Sequence, residues 1–391
     1  MTFIRKSYMC GHGGNSQRIF GVLFTVTVMI VIAVYHGSVP RSVHTLYYKH
    51  ENQRGPFSEG CGSNIVSTPS NPTVLPYRKV TLIHGKMLED VSNPHCGGNI
   101  FYSVKTTSQF QYYRKRIMMS MLTWFQAVDK NKLSIVTDSY TSSETEDDVK
   151  LIKEEGYRLL VSDCPASHEM IDLCCKTTAE YRAYYSDLEK HKDEPEKYQW
   201  FCHFDDDMFV NVPALTNLLS KYDPRDPLYI GRWDDVSWHG PMSDVHYVGL
   251  NAKEQENIKR LNQTIKMQKY WYANGCGYCV SHALMMEARD YFTGNLSFCN
   301  FTWTPDDVSV AVIFTALLGH KLTNVDEMHS QREDLSKAPL EKTKSYMTIS
   351  SNKLVNLNSP FSDDEYKFMA LHCLLYPNVS WCKGHRITTL N

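Results

Sequence analysis

Residues 200–211 read Trp-Phe-Cys-His-Phe-Asp-Asp-Asp-Met-Phe-Val-Asn. A mostly apolar run of this length, bounded by polar residues, is typical of a buried strand. The carboxylates of Asp205, Asp206 and Asp207 then fall at the carboxyl end of that strand, where open α/β sheets place their ligands. Adjacent carboxylates repel one another, and a hard divalent cation shared with a diphosphate would neutralise them. A solvated acidic turn is the alternative, but aromatic residues on both sides favour a metal-binding pocket.

The composition sets the class of protein. The chain has 391 residues, of which 42% are hydrophobic, and a formal net charge of -2. This length is sufficient for one large domain or two smaller ones. A near-neutral charge without a dense basic tract argues against a nucleic-acid partner. The twelve cysteines are scattered, without two paired Cys-x-x-Cys motifs, and this pattern favours disulfides over a zinc site.

The N-terminal region predicts a membrane anchor. Residues 1–18 are short and basic, and residues 19–35 are apolar without a charge, which is about the minimum length for a transmembrane helix. A cleaved signal peptide is the alternative, but residues 38–40 offer little of the small-residue pattern that cleavage needs. The basic residues before the segment place the N-terminus in the cytoplasm. We therefore expect a signal anchor, a luminal stem over residues 36–78 and a folded luminal domain over residues 79–391.

Strand and helix patterns alternate through the folded domain. Strands are predicted at residues 80–83, 99–107, 133–138, 157–161, 200–204 and 228–231, and helices at residues 112–128, 144–155, 173–192, 212–219 and 304–318. This alternation predicts an α/β fold with a mostly parallel, doubly wound sheet. The strand predicted at residues 133–138 ends at an acid, Asp138, and Asp205 directly follows the strand predicted at residues 200–204.

Three further stretches are candidates for the site. Gly275 and Gly277 lie in an aromatic stretch where backbone could approach a ligand, although a plain β-bulge explains them equally well. Asp306 and Asp307 begin an apolar helix, where acids are often only caps; a second acidic pair in one chain nevertheless favours chemistry. His329 is a lone histidine, and such residues are more often structural than ligands.

The remaining motifs suit a secreted context. The spacing of Cys373 and Cys382 suggests a local disulfide that closes a small loop. Four glycosylation sequons fall on the presumed luminal side. They begin at Asn262, Asn295, Asn300 and Asn378.

Together these residues resemble the Fringe family of Golgi β1,3-N-acetylglucosaminyltransferases. The matching stretches are Val-Lys-Thr-Thr, Thr-Trp, Trp-Phe-Cys-His-x-Asp-Asp-Asp, Gly-x-Gly-x-Cys, Pro-Asp-Asp, His-Ser and Cys-x-Leu-Tyr-Pro-x-x-x-Trp-Cys. They lie in family order at residues 104–107, 123–124, 200–207, 275–279, 305–307, 329–330 and 373–382. The third and the last of these strings are specific, and the others are supportive.

The resemblance implies a GT-A fold on a single-pass type II anchor in the Golgi membrane. It implies UDP-N-acetylglucosamine as the donor and Mn²⁺ as the ion. The implied acceptor is O-linked fucose on EGF-like repeats, such as those of Notch receptors, and the implied role is modulation of Notch signalling.

The resemblance also implies residue roles. Asp206 would contact the donor, Asp207 the metal, and Asp307 would be the catalytic base. An arginine on the first helix would contact the donor; counting from the two flanking motifs gives Arg114 or Arg116, and we prefer Arg116. Further expected donor contacts are Thr106, Thr107, Asp138, Gly275 and Gly277. The implied disulfides are Cys164 with Cys175, Cys202 with Cys279, and Cys373 with Cys382.

One departure affects the metal site. The family's second histidine in His-Ser-His, which reaches the metal, is Gln331 here. Either His329 substitutes for it, or the ion is held by Asp207, diphosphate and water. Two other functions are compatible with the sequence: a related β1,3-galactosyltransferase that acts on O-linked GalNAc, and a catalytically impaired, lectin-like relative.

Overall fold

The computed structural model describes most of the predicted luminal domain. The described residues are 99–108, 110–139, 143–194, 197–235, 256, 271–294, 305–330, 332–350, 357–361, 364 and 366–388. The predicted tail, anchor, stem and the strand at residues 80–83 lie outside them, as do three of the four sequons. The fourth, Asn378, is exposed. None of the described helices combines the length and apolar character that a membrane crossing requires.

Strands and helices alternate as the sequence predicts. The strands are β1 Ile100–Lys105, β2 Leu133–Thr137, β3 Arg158–Val161, β4 Trp200–Asp205, β5 Met208–Val210, β6 Tyr229–Asp235, β7 Trp271–Ser281, β8 Leu322–Asn324, β9 Met328–His329 and β10 Thr348–Ser350. The α-helices are α1 Phe110–Leu122, α2 Ser143–Glu154, α3 Met170–Lys190, α4 Val212–Leu219, α5 His282–Thr293, α6 Asp306–Ala311, α7 Leu340–Thr343 and α8 Phe368–Leu375. A π-helical segment, Val312–Leu317, continues α6.

Seven strands of the described chain form one mixed sheet. Their order is β3-β2-β1-β4-β7-β6-β8. The pairs β3–β2, β2–β1, β1–β4 and β6–β8 are parallel, while β7 runs antiparallel to both β4 and β6. Lys105 pairs in register with Asp205, so the carboxyl ends of β1 and β4 lie at the same edge of the sheet.

Helices cover both faces of this sheet. On one face, Phe101 packs edge-on against Tyr184 of α3, with ring centroids 5.4 Å apart. On the other, Tyr102 stacks on Phe204 of β4, and Trp124, just after α1, packs against the same ring at 5.9 Å. Alternate residues of β1 therefore point into opposite layers, as the two-residue period of a strand requires. The α/β, mostly parallel, doubly wound architecture that the sequence predicts is confirmed.

A second, three-stranded sheet extends the acidic end of β4. β10 lies between β5 and β9, antiparallel to the first and parallel to the second. Ser350 pairs with Met208, the residue after Asp207, and Ile349 pairs with His329. This small sheet therefore brings the chain around His329 to the aspartate triplet, although the two lie more than a hundred residues apart in sequence.

The three disulfides implied by the resemblance are all present. They are Cys164–Cys175, Cys202–Cys279 and Cys373–Cys382. Cys202–Cys279 joins β4 to β7 at directly opposed positions. It therefore links the strand that leads into the aspartate triplet to the strand that carries the two glycines.

Candidate active site

Asp206 is a buried carboxylate with both oxygens engaged. Thr106, which follows β1, donates its hydroxyl to Oδ2 at 2.7 Å, and Arg116 of α1 donates to Oδ1 at 2.8 Å. The Arg116 guanidinium also lies 5.1 Å from the centre of the Tyr366 ring. Burial lowers the pKa of Arg116, but Asp206 and Asp207 outweigh burial and raise it overall. Three of the predicted donor contacts, Thr106, Arg116 and Asp206, therefore form one cluster.

The other predicted donor contacts near β1 are placed differently. The side chain of Arg114 lies outside the described residues, and Thr107 is buried. Asp138 is completely buried: it accepts a hydrogen bond from the Ser108 backbone N–H at 2.7 Å and pairs with Lys176 at 3.0 Å. Both of its oxygens are thus engaged within the protein, and a donor contact at Asp138 stays a prediction. In the structure Asp138 holds the loop after β1.

Gly275 and Gly277 lie in an irregular part of β7. The register between β6 and β7 shifts between Gly231 and Trp233, and both glycines have positive φ, 57° and 75°. A Cβ on Gly277 would lie 2.5 Å from the Phe204 ring. The close approach at Gly277 is therefore to β4, in keeping with a β-bulge, and the donor contacts expected at Gly275 and Gly277 stay predictions.

Among the described residues, no cation forms an ion pair with Asp207 as Arg116 does with Asp206. The Ser350 hydroxyl of β10 donates to it at 3.3 Å. Burial, together with the charges of Asp205 and Asp206, raises the pKa of Asp207 to about 7 against the opposing effect of Arg116. A divalent cation at this carboxylate would relieve the repulsion, and such ions are commonly held by one or two carboxylates plus substrate phosphates. The chemistry of Asp207 therefore fits the expected ion.

His329 does not fit the role of a metal ligand in this arrangement. Its Nδ1 lies 3.0 Å from a guanidinium nitrogen of Arg232. Because arginine only donates hydrogen bonds, Nδ1 must accept, and the proton of the neutral imidazole is on Nε2. Burial and the charge of Arg232 lower the pKa of His329 to about 4, so the ring is neutral at pH 7. A protonated Nε2 has no lone pair for a metal, so this tautomer disfavours ligation by His329, and the metal role of His329 stays a prediction.

Arg232 is itself fixed. It donates to the Asp326 carbonyl at 2.7 Å and lies 3.1 Å from a Glu333 carboxylate oxygen. No group of three or more His, Cys, Asp or Glu side chains within the described ranges is arranged to hold a metal. Gln331 lies outside those ranges. Asp207 is thus the one predicted ligand whose surroundings suit an ion.

Asp306 and Asp307 begin α6 in unlike environments. Asp306 is buried, contacts Lys105, and accepts a hydrogen bond from the Thr177 hydroxyl at 2.6 Å. Asp307 is partly exposed, and Oδ1 accepts from the Val308 backbone N–H at 2.8 Å. Burial and the neighbouring Asp306 raise the pKa of Asp307 to about 7. One carboxylate is thus permanently ionised by its partners, and the other can exchange a proton near neutral pH, as a general base must.

A buried network of polar side chains lies beneath the acids and was not predicted from the sequence. Lys105 lies 3.0 Å from Asp205. His203 pairs with Glu180 of α3 at 2.9 Å, and the Ser103 hydroxyl donates to the same carboxylate at 2.8 Å. The signal was the strand register, because Ser103 pairs with His203 and Lys105 with Asp205 on β1 and β4. Polar residues at alternate positions of two otherwise apolar strands indicate a shared polar layer.

Comparison with known proteins places the chain in a family. The Fringe-like family model matches residues 97–379. The chain is 28% identical over 328 residues to the β-1,3-N-acetylglucosaminyltransferase lunatic fringe of Xenopus laevis, covering 81% of this chain and 74% of the relative. It is 32% identical over 295 residues to the Fringe glycosyltransferase of Drosophila melanogaster, covering 73% and 63%.

Solved structures add little to this. A mannosyltransferase from Pyrobaculum calidifontis is 12% identical with a TM-score of 0.32, covering 76% of each chain. A TM-score of this size assigns neither a fold nor an activity. The family match, in contrast, spans most of the chain and includes both acidic segments of the site. The chain therefore belongs to the Fringe-like family of glycosyltransferases.

Proposed function

We propose that this enzyme transfers N-acetylglucosamine from UDP-N-acetylglucosamine in β1,3 linkage to O-linked fucose on EGF-like repeats, as in Notch-type receptors, and so modulates Notch signalling. The observation that carries the proposal is the difference between the two acidic segments at one sheet edge. Asp206 is neutralised by Arg116, whereas Asp307 is a partly exposed carboxylate that titrates near pH 7. The name of the lunatic fringe relative, a β-1,3-N-acetylglucosaminyltransferase, supports the transferred sugar and the linkage.

The chain's own residues suit an inverting transfer with a single base. Asp307 takes the proton from the attacking acceptor hydroxyl as that oxygen bonds to the anomeric carbon. Attack on the face opposite UDP converts an α-linked donor into a β-linked product in one displacement, so no covalent enzyme intermediate is needed. Arg116, fixed by Asp206 and stacked on Tyr366, supplies positive charge for the donor diphosphate.

We further propose that Mn²⁺ is bound by Asp207 together with the donor diphosphate and water, without His329. When bound, the ion supplies positive charge that stabilises the departing UDP. The uncompensated charge at Asp207 supports this, and the Arg232 hydrogen bond to His329 Nδ1 opposes a histidine ligand.

A pair of substitutions separates these two residues. Asp207→Asn is expected to weaken Mn²⁺ binding in the presence of UDP by at least about tenfold, because it removes a direct ligand. His329→Gln is expected to leave Mn²⁺ affinity within about twofold of the wild type, since Nε2 carries a proton. Electron paramagnetic resonance of free Mn²⁺ during titration measures both without turnover. An equal loss of affinity in the two variants would show that His329 is a ligand after all.

The pH dependence follows from the pKa of the base. The carboxylate of Asp307 has a raised pKa of about 7, and only its ionised form accepts a proton. The kcat/KM for the acceptor, at saturating donor and Mn²⁺, should therefore fall as pH decreases through 7, to about a tenth of its plateau at pH 6. Under these conditions the bound ion keeps Asp207 ionised. A flat profile between pH 5.5 and 8.5 would contradict the assignment.

We also propose that the enzyme is a single-pass type II protein of the Golgi membrane, with its catalytic domain in the lumen. The basic residues 1–18 and the uncharged apolar residues 19–35 support an anchor of this orientation. The three disulfides suit an oxidising compartment. The exposed sequon at Asn378 is accessible to a luminal oligosaccharyltransferase.

A donor-by-acceptor assay tests the proposed function. Soluble luminal domain is incubated with UDP-N-acetylglucosamine or UDP-galactose, and with a fucosylated EGF repeat or a GalNAc-bearing peptide, with and without Mn²⁺. We expect transfer only from UDP-N-acetylglucosamine to the fucosylated repeat, and only with the ion. Preference for UDP-galactose and GalNAc would indicate the related galactosyltransferase. Acceptor binding without transfer or donor hydrolysis would indicate an impaired, lectin-like protein.

A further inference from the structure

Lys105 lies between the two acidic segments of the site. Its Nζ is 3.0 Å from Asp205 Oδ1 and contacts the Asp306 carboxylate. The lysine side chain is only 7% exposed and that of Asp306 is 11% exposed, so their charges interact in a low-dielectric environment. Burial lowers the pKa of Lys105, but Asp205, Asp306 and Glu180 outweigh burial and raise it well above its usual value. The lysine therefore remains charged.

Asp306 remains charged for the matching reason. Its Oδ2 accepts hydrogen bonds from both the Lys105 ammonium and the Thr177 hydroxyl. Burial raises the pKa of Asp306, but Lys105 and His203 outweigh it and hold the pKa well below its usual range. A fixed anion thus precedes Asp307 directly in α6, although it faces the interior and not the solvent.

We infer that Lys105 and Asp306 are positioning residues for the base: the lysine holds Asp306 as a fixed anion beside Asp307 and ties the start of α6 to the carboxyl ends of β1 and β4. The inference deepens the proposed function and rests on it, because Asp307 is the base there. An anion next to a carboxylate makes that carboxylate a stronger base. The pair acts through Asp307 and not on the substrates.

The charges around Asp307 give the direction of each effect. The titratable groups that face it are Asp306 on its own helix, Lys105 on β1, Asp205 on β4 and Tyr229 on β6. Burial and Asp306 raise the pKa of Asp307, while Lys105 lowers it. Loss of the Asp306 charge alone therefore leaves Lys105 unopposed and lowers that pKa. When both charges are lost together, their opposite effects on the pKa of Asp307 largely cancel.

Two variants test the inference, because the single variant should shift the pH profile and the double variant should restore it. Asp306→Asn should move the acid limb of kcat/KM for a fucosylated EGF repeat about one pH unit lower, so that activity at pH 6 is about half of its own plateau rather than about a tenth. The double variant Lys105→Met/Asp306→Asn should return the limb to within about half a unit of the wild type. A merely structural role would lower the plateau of both variants and leave the limb at its wild-type pH, which would overturn the inference.

Further variants distinguish the loss of a charge from a folding defect. Lys105→Arg keeps the charge and should keep the limb in place. If Asp306→Asn does not fold, as judged by circular dichroism, Asp306→Ser replaces it. Asp306→Ser also removes the anion and keeps a hydroxyl that can hydrogen-bond to Thr177, so the acid limb should move in the same direction. An unmoved limb in a folded Asp306→Ser variant contradicts the inference equally.

The wild-type profile separates this inference from the proposed function. If the wild type transfers sugar without a limb near pH 7, or if Asp307→Asn retains full transfer, then Asp307 is not the base and the proposed function fails. If the wild type has that limb and Asp307→Asn is inactive, but Asp306→Asn and the double variant titrate as the wild type does, then only the positioning role of the pair fails.

Discussion

Asp307→Asn is expected to lower the transfer rate by about 10²–10⁴-fold, because an amide cannot accept the proton of the acceptor hydroxyl and general bases contribute about that much. The substitution conserves size, and the asparagine oxygen can still accept from the Val308 backbone N–H. UDP binding should remain within about twofold of the wild type, because the cluster of Arg116, Asp206 and Thr106 is built from other elements. Transfer is measured by UDP release with saturating acceptor, and UDP affinity by calorimetry.

The matched control is Asp290→Asn, the same substitution at an exposed residue of α5. It should leave both the transfer rate and UDP affinity at wild-type values. Wild-type turnover by Asp307→Asn would remove this residue from the mechanism. A parallel loss of UDP binding would instead assign Asp307 to the donor site.

Gly277→Ala is expected to destabilise the fold by about 2–5 kcal/mol, the sum of a backbone cost and a packing cost. Gly277 has a φ of 75°, which costs a residue with a side chain about 1–2 kcal/mol. Its new Cβ would also lie 2.5 Å from the Phe204 ring and 2.9 Å from the His203 carbonyl oxygen. Phe204 is fully buried and the carbonyl belongs to β4, so relief requires a shift of packed structure, at about 1–3 kcal/mol.

Gly319→Ala is the matched control, because Gly319 has a φ of 79° but no atom within 4 Å of the position that a new Cβ would take. It should cost only the backbone contribution of about 1–2 kcal/mol. Urea unfolding of the two variants, followed by tryptophan fluorescence, gives both values. Equal losses of unfolding free energy would mean that β7 can move away from β4, contrary to the close contact at Phe204.

The sheet could be predicted from the sequence because its signals are local. The apolar run at Trp200–Asp205 ends on acids, and helical patterns separate it from the strands before it. The start of α4 also has a local signal, because Asn is a preferred helix cap and the Asn211 side chain accepts from the Ala214 N–H at 3.4 Å. In contrast, β10 has three residues, too few for a periodic pattern, so the position of His329 beside the triplet could not be derived.

The charges in the site were less predictable because they depend on partners distant in sequence. Asp138 directly follows β2 and Asp205 ends β4, yet Asp138 is completely buried against Lys176 while Asp205 remains partly exposed beside Lys105. The tautomer of His329 depends on the hydrogen bond from Arg232, and that contact has no signal in the local sequence. The charge and exposure of each residue depend on which side chains it contacts across the sheet. Those contacts join residues that are distant in sequence, so no local pattern predicts them.

The most direct test of the proposed chemistry is the structure of the product. Wild-type enzyme is incubated with UDP-N-acetylglucosamine, Mn²⁺ and an O-fucosylated EGF repeat, and the isolated glycopeptide is examined by nuclear magnetic resonance. A single new N-acetylglucosamine with a β-anomeric proton, linked to carbon 3 of fucose, is the predicted result. An α-linked sugar, a different linkage position, or free N-acetylglucosamine as the only product would contradict an inverting transfer by Asp307.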